Sequence, residues 1–514
     1  MAAALSNSGE DKAEFKIKNV IKICDNKKIF IPARNVHVFA IPVARFRPEK
    51  SSEIGRQTIM NNRNTSRRQF IKTNALALPL IATGCHCWVD KSVGIRKGAD
   101  GFVTVRNGRF ELNEQPYFYV GTNLWYGCYL SDPGLSDGRQ RMARELDRLQ
   151  SIGVTNIRLL AGSETSPLAG AIRRGITRAP QDWDEDLLRG LDFCLAEMGR
   201  RNMRAILFVS NYWQWSGGFA QYVRWITGET IPDPDLPKIA AGNWGGFMKF
   251  SARLYVTAAA NQLYLDYVSR LIQRRNTVNG KIYREDPVIM TWELANEPRP
   301  GTDVVVSGVP EFVKWVDTTA HFIHDQDPNH LVCTGSEGIH GSLDKPDVFV
   351  AAHKTPAIDY VTVHMWLKNW GWIKDPQLGS DFEVAAGKAR NHVEQHTALA
   401  TDTLHKPLVL EEFGLPRDHE NYDPSSPTTA RDEYYRRMFD QVAESCQAGR
   451  ALQGANFWAW GGEGRVSTGK LDSAAALMGD PFSEPQGLNS VFDTDKNTLA
   501  VVVQANEKLA AFAR

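Results

Sequence analysis

From Phe102 onward the apolar residues of this chain follow two alternating rhythms. Short runs dense in Val, Ile, Leu and aromatic residues, bounded by turn residues, read as buried strands. Longer runs with apolar positions every three or four residues read as amphipathic helices. The strands so predicted are Phe118–Asn123, Val154–Leu160, Met203–Ser210, Val288–Asn296, His330–Gly335, Tyr360–Trp366, Pro407–Glu412 and Gly454–Trp460. Between them lie helical stretches such as RQRMARELDRLQSIG, DEDLLRGLDFCLAEMGRRN, VPEFVKWVDTTAHFIHDQ and ARDEYYRRMFDQVAESCQAG. Glycine or asparagine near several of their ends supplies C-caps. Ahead of the first strand, FVTVRNGRFELNEQPYFYVG places Asn107-Gly108 between alternating apolar residues. That is a hairpin signal, because both turn residues must tolerate positive φ. The hairpin is expected to cover the bottom of the domain that these strands and helices build.

Eight such βα units closing on themselves make an α/β protein, a (β/α)8 TIM barrel, over residues 101–514. The alternative, a doubly wound sheet, calls for a glycine-rich phosphate loop after the first strand, and GTNLWYG is not one. The loops after the strands are unequal. The third runs from Asn211 to Asp286, with its own helix expected around Ser251–Arg274; the eighth, Gly461 to Ser490, is long and glycine-rich. Long irregular loops on one barrel face usually shape a substrate cleft.

Charge adds little: 60 basic residues balance 59 acidic ones, so no global field points to nucleic acid or an anionic polymer. Fourteen tryptophans change the picture more, since an aromatic-lined groove for flat ligands would use some of them. Seven cysteines are scattered, and Cys85-His86-Cys87 lacks the second half of a zinc site. No segment from Asp100 onward is long and apolar enough to span a bilayer.

The first hundred residues read differently. Residues 1–59 show no clear periodicity and stay unassigned. Within 60–87, Ser66-Arg67-Arg68-Gln69-Phe70-Ile71-Lys72 looks like a twin-arginine export motif, followed by a short apolar region from Ala75 to Ala82. Thr83-Gly84-Cys85 resembles a lipoprotein cleavage box, with Cys85 as the acylated residue and Ala82 where leucine is usual. Such motifs sit near a true N-terminus, so translation is expected to start at Met60, with residues 1–59 an upstream artefact. Residues 88–100 read as a tether. The chain is expected to be exported, as a periplasmic, cell-surface or secreted monomer whose membrane contact is a lipid on Cys85.

The barrel puts every strand end on one face. WELANEPRP, Trp292 to Pro300, ends the fourth strand in Asn296-Glu297, and Pro298 stops it because proline has no N–H for the ladder. KPLVLEEFG, Lys406 to Gly414, ends the seventh in Glu411-Glu412. Arg158 lies near the end of the second strand, His364-Met365-Trp366 at the end of the sixth and Trp458-Ala459-Trp460 at the end of the eighth. Two carboxylates, an arginine, a histidine, an amide and aromatics then converge, which is a glycosidase set. One carboxyl group must stay protonated and the other ionised; an arginine would hold the second charged. Trp125, Trp213, Trp215, Trp370 and Trp372 lie in the predicted top loops and are candidates for sugar stacking. Cys128, Cys194, Cys333 and Cys446 read as packing thiols.

At these residues the chain resembles glycoside hydrolase family 5, in its endo-β-1,4-mannanase branch. WELANEPR, the Asn-Tyr-Trp run followed by GGFAQYVRW, CTGSEG, YVTVHMW with NWGW, KPLVLEEFG, NFWAWGG and EPQGLNSVFD occur in the family's order, from about Phe102 to the C-terminus. The resemblance implies a retaining double displacement without metal or cofactor, on mannan, glucomannan or galactomannan. It implies that Glu297 is the acid/base and Glu412 the nucleophile. Glu411 is then a neighbour that strand alternation points the other way. It further implies that Arg158 supports the nucleophile, Asn296 holds the sugar 2-hydroxyl, His364 is the active-site histidine and Trp458 the platform under the −1 sugar. Arg299 matches an arginine on the leaving-group side. One position departs: the wider family has His-x-Tyr on strand six, where Trp366 offers only an indole N–H. Trp366, Trp213 and Trp125 complete the expected substrate-binding set. Two other readings stand beside this one: a β-1,4-glucanase on the same barrel, and a non-catalytic mannan-binding surface lipoprotein, which would need a lost carboxylate.

Overall fold

The computed structural model describes residues 101–236, 243–301, 308–465 and 477–513. The twin-arginine motif, Cys85 and the tether lie outside the described residues.

Eight parallel strands form the central sheet: β1 (Tyr119–Asn123), β2 (Asn156–Leu160), β3 (Arg204–Phe208), β4 (Ile289–Glu293), β5 (Leu331–Cys333), β6 (Val361–Met365), β7 (Leu408–Phe413) and β8 (Leu452–Phe457). Each predicted strand overlaps one of them; β7 runs one residue past the predicted end at Glu412, and β8 begins two residues before the predicted start at Gly454. A helix follows each in turn: α1 (Gly138–Ser151), α2 (Glu185–Arg200), α3 (Ala258–Ile272), α4 (Val309–Gln326), α5 (Pro346–His353), α6 (Ser380–Ala398), α7 (Thr429–Gln447) and α8 (Lys496–Phe512). The ladder runs β5–β4–β3–β2–β1–β8–β7–β6. Between its two ends, β5 and β6, the ring is closed by single contacts. Asp359 N–H donates to Val332 O at 2.9 Å, and the Asp359 carboxylate accepts from Val332 N–H at 2.7 Å. Higher up, the Thr362 hydroxyl donates to Ser336 O at 2.8 Å. With these, the (β/α)8 barrel is complete.

The predicted hairpin is present. Val103–Arg106 pairs antiparallel with Arg109–Leu112, turning through Asn107 and Gly108, both at positive φ. It caps the barrel floor. Val103 and Phe110 pack with the inward residues Tyr119, Ile206, Met290, Leu331, Cys333, Tyr360 and Val409 in one apolar cluster. Gln453 on β8 fastens it, accepting from Phe110 N–H at 2.9 Å and donating to Gly108 O at 2.8 Å.

Helix α2 shows why these sequences become helices. The Asp184 side chain accepts from the N–H groups of Asp186 and Leu187, satisfying donors the first turn leaves orphaned. Its buried positions, Leu187, Leu188, Leu191, Cys194, Leu195 and Met198, recur at helical spacing and face the barrel. The third loop departs from expectation. Its last helix begins at Ala258 rather than Ser251, because Trp244–Ala252 forms a separate helix and a 3₁₀ turn, Arg253–Tyr255, divides the two. A further helix, Gly218–Thr227, lies earlier in the same loop.

Strand β7 carries the feature that shapes the site. Along its pairing with β6, Val363 faces Leu410 but His364 faces Glu412, so Glu411 is an extra residue, a β-bulge. Alternation from Leu410 onward therefore fails at this point.

Candidate active site

The strand tips converge as the sequence implied. Arg158 on β2 is fully buried and spans four side chains. Its Nε and Nη2 grip Glu293 at 2.8 and 2.6 Å; Nη1 donates to Asn123 Oδ1 at 3.0 Å and to Glu412; Nη2 also donates to Asn296 Oδ1 at 2.8 Å. The Phe208 ring lies flat beneath it, 4.5 Å from the guanidinium carbon. This planar, five-donor fork matches the task in a way a point-charge ammonium cannot.

Glu297 follows β4 with φ +50, a left-handed conformation that L-residues disfavour. Its N–H donates to Gly335 O at 2.8 Å, which ties the tip of β4 to β5. Its carboxylate accepts from Trp213 Nε1 at 2.5 Å and hydrogen-bonds to His364 Nδ1 at 2.7 Å. Asn296 beside it donates to Asn211 Oδ1 at 3.2 Å. Trp366 Nε1 reaches the same Glu297 oxygen at 3.4 Å. The indole that replaces the family's tyrosine thus faces Glu297. Glu412 Oε2 stands 3.4 Å from His364 Nδ1. One carboxylate oxygen each of Glu297 and Glu412 and a ring nitrogen of His364 all lie within 4.8 Å of one another.

Four carboxyl groups, Glu293, Glu297, Glu411 and Glu412, meet two cationic side chains in this buried volume. Burial opposes charge on His364, but Glu412, Glu297 and Glu411 around it prevail and raise it to about 10. Burial also works against ionisation of Glu297, yet the hydrogen bond and charge of His364, with Arg299, hold it down at about 2. Burial lifts Glu412 to about 7 against the pull of His364 and Arg158. These directions run opposite to what double displacement asks of the two glutamates. The proton that Glu297 would deliver rests on His364, one 2.7 Å hydrogen bond away, so the pair holds it in common.

A cavity of about 450 Å³ opens above this layer. Of the sequence-predicted residues, Asn296, Glu297, Arg299, Trp213, Trp366, Glu412 and Trp458 line it. Trp458 meets Trp366 edge to face at 5.9 Å, and its indole N–H has no hydrogen-bond partner. The Arg299 guanidinium sits over the Trp213 ring at 4.8 Å and pairs with Glu337. Trp215 and Trp370 also line the cavity. Trp372 packs on Trp370 at 5.0 Å. Trp125 is a correction. It is buried behind Trp215, its ring centroid 5.6 Å away and its Nε1 donating to Gly479 O at 2.8 Å, and it is not among the lining residues. Its strand ends in a turn that folds the indole into the wall.

Glu411 is the second correction. Like the inward Val409 two residues before it, it lies inside the barrel, fully buried, with Oε2 3.5 Å from His364 Nε2 and 3.7 Å from Arg158 Nε, and the bulge lets Glu412 face the site as well. Glu293, the bidentate partner of Arg158, belongs to the same WELANEPR run, where nothing in the strand pattern singles it out. Glu337 and Glu484 were missed as well; each is one carboxylate in a loop, and only folding brings them to the cavity. Burial, with Asp480, Glu412 and Glu297 nearby, pushes Glu484 up to about 8, and its Oε2 has no hydrogen-bond partner. Among the described residues, two acidic groups have metal-ligand spacing, Glu297–His364–Glu412 and Glu293–Cys333–Glu411. Arg158, in contact with Glu293 and Glu412, already brings a positive charge to both.

A closed (β/α)8 barrel with glutamates at the tips of β4 and β7, in an aromatic-lined cavity, defines a glycoside hydrolase. The chain belongs to glycoside hydrolase family 5: residues 100–514 match the model described as GH family 5 beta-mannosidase-like. Among its relatives are a putative mannan endo-1,4-beta-mannosidase 4 of Arabidopsis thaliana, 30% identical over 70% of this chain and 83% of the relative, and mannan endo-1,4-beta-mannosidase 7 of the same plant, 28% identical over 72% and 80%. Among solved structures, the family 5 mannosidase from Rhizomucor miehei is 36% identical over 80% of this chain and 98% of its own, with a TM-score of 0.72. The endo-beta-1,4-mannanase of Thermotoga petrophila, at 23% identity and a TM-score of 0.57, shares the fold.

Proposed function

We propose that this chain is a retaining β-mannanase that hydrolyses internal β-1,4-mannosidic bonds in mannan, glucomannan or galactomannan. The observation that carries the reading is the spacing of the two glutamates. Oxygens of Glu297 and Glu412 lie within 4.8 Å, near the roughly 5–5.5 Å of retaining enzymes and short of the roughly 6.5–9.5 Å that inversion needs for a water. Glu412, ionised and held by Arg158, attacks the anomeric carbon. Glu297, taking back the proton shared with His364, protonates the leaving oxygen. It then draws a proton from water, which hydrolyses the glycosyl ester with net retention. Asn296 accepts or donates at the 2-hydroxyl, Trp458 supports the −1 ring, and Trp213 and Arg299 lie on the leaving-group side.

A second reading, exo-action on short manno-oligosaccharides, is favoured by the Rhizomucor relative, called a mannosidase and also described in complex with mannosyl-fructose. Product analysis separates the two. A ladder of manno-oligosaccharides from linear β-1,4-mannan is the expected result. Release of a single small sugar would make the cleft exo-acting, and cleavage of a β-1,4-glucan alone would overturn the substrate assignment. Glu297→Gln and Glu412→Ala are each expected to lower turnover by about 10³-fold or more with the fold intact. We also infer export by the twin-arginine route with a lipid on Cys85. Arg67→Lys with Arg68→Lys would then leave the precursor in the cytoplasm, and normal export of that variant would refute the route.

A further inference from the structure

The bulge in β7 brings Glu412 to the site beside the inward-facing Glu411, and the proposed reaction gives Glu411 nothing to do. Glu411 is fully buried, and neither of its carboxylate oxygens has a hydrogen-bond donor. His364 Nε2 is likewise buried without a partner. The two unpartnered groups face each other at 3.5 Å. A buried carboxylate and a buried ring nitrogen are each costly to leave unpaired, and a shift of a few tenths of an ångström would pair both. The other nitrogen of the same ring, Nδ1, is 2.7 Å from Glu297. His364 therefore stands in line between Glu411 and Glu297.

We propose that Glu411 is a positioning residue that keeps a hydrogen on His364 Nε2, so that Nδ1 can pass one proton to and from Glu297. With Nε2–H directed at Glu411, a neutral ring turns the Nδ1 lone pair toward a protonated Glu297, and a charged ring turns Nδ1–H toward an ionised one. One proton moves between two atoms, and nothing else in the pair changes. Without Glu411, a neutral ring is free to carry its only hydrogen on Nδ1, where it stabilises Glu297 as the carboxylate and leaves the acid step without a proton. Which ring nitrogen carries hydrogen is set by the partner of the other.

The catalytic half of this inference rests on the β-mannosidic reading, so the test has one arm that needs no substrate. In protein labelled with ¹⁵N-histidine, the His364 resonances, assigned by their loss in His364→Gln, are expected to show hydrogen on Nε2. In Glu411→Gln, whose amide can donate as well as accept, Nε2 is expected to lose it in part. An unchanged ring would overturn the proposal whatever the substrate. In the second arm, kcat/KM of Glu411→Gln on a manno-oligosaccharide is expected to fall about 10- to 100-fold, a portion of what general acid catalysis supplies. On 2,4-dinitrophenyl β-mannoside, whose leaving group needs no proton, it is expected to stay within about twofold. Equal losses on both substrates, or none, would overturn the proposal. Should Glu411→Gln fail to fold, Glu411→Asp, which keeps the charge but draws it back from Nε2, is read by the same two criteria. A wild-type chain inert on both substrates would refute the β-mannosidic reading and leave the ring measurement to decide this one.

Discussion

Arg158 touches Glu293, Asn123, Asn296 and Glu412 with one rigid fork. Lysine at this position keeps the charge but cannot span those directions. Arg158→Lys is therefore expected to lower kcat by about 10²-fold, the scale of losing one oriented electrostatic contact, with a smaller change in KM. Steady-state kinetics on a manno-oligosaccharide checks this. Glu412 also sets a pH limit. Its carboxyl is raised to about 7, chiefly by burial, and attack requires the ionised form. As pH falls through about 7 the nucleophile takes up a proton, so kcat/KM is expected to fall on the acid side with a midpoint there. In Arg158→Lys the fork no longer favours the charged form, so the same midpoint moves upward. A profile flat between pH 5 and 8 would refute the assignment.

At the scale of elements, the barrel is weakest where its ladder ends. Between β5 and β6 the Asp359 side chain does for Val332 N–H what a neighbouring strand does elsewhere. Asp359→Ala strands that buried donor and is expected to cost about 1–3 kcal/mol. It would appear as a lower urea midpoint with an unchanged slope. The elements themselves were legible in the sequence. Asn107-Gly108 announced its hairpin because few residue pairs accept two positive φ angles in a row, and each strand was a run that water would not tolerate. What could not be read was register. That Glu412 reaches the site beside Glu411 depends on His364 pairing with Glu412 across the strand boundary, and a bulge leaves no trace in the period of its own strand. The same holds for Trp125. Its place in a top loop was foreseeable, but the turn that folds it behind Trp215 was not.

For the molecule as a whole, the site's main parts were legible because a barrel brings strand ends together whatever its loops do. Glu297, Arg158 and His364 could be placed from the strand pattern, which left Glu411 and Glu412 together at the seventh tip; the choice of Glu412 came from the family resemblance. Glu337 and Glu484 could not, since loops carry no such rule. The barrel also holds Glu297 in a backbone shape that suits glycine better than any residue with a side chain. Ordinarily glycine loosens a fold relative to alanine, but here the order is expected to reverse. Both Glu297→Gly and Glu297→Ala lack the carboxylate, and of these two inactive chains the glycine one is expected to be the more stable by about 1 kcal/mol, visible as a higher melting temperature. An equal or lower value would mean that the tip of β4 relaxes once its side chain is gone. If the order does reverse, the acid of the reaction stands at a backbone position whose easiest occupant carries no side chain, and its hydrogen bonds to Trp213 and His364 help to hold it there.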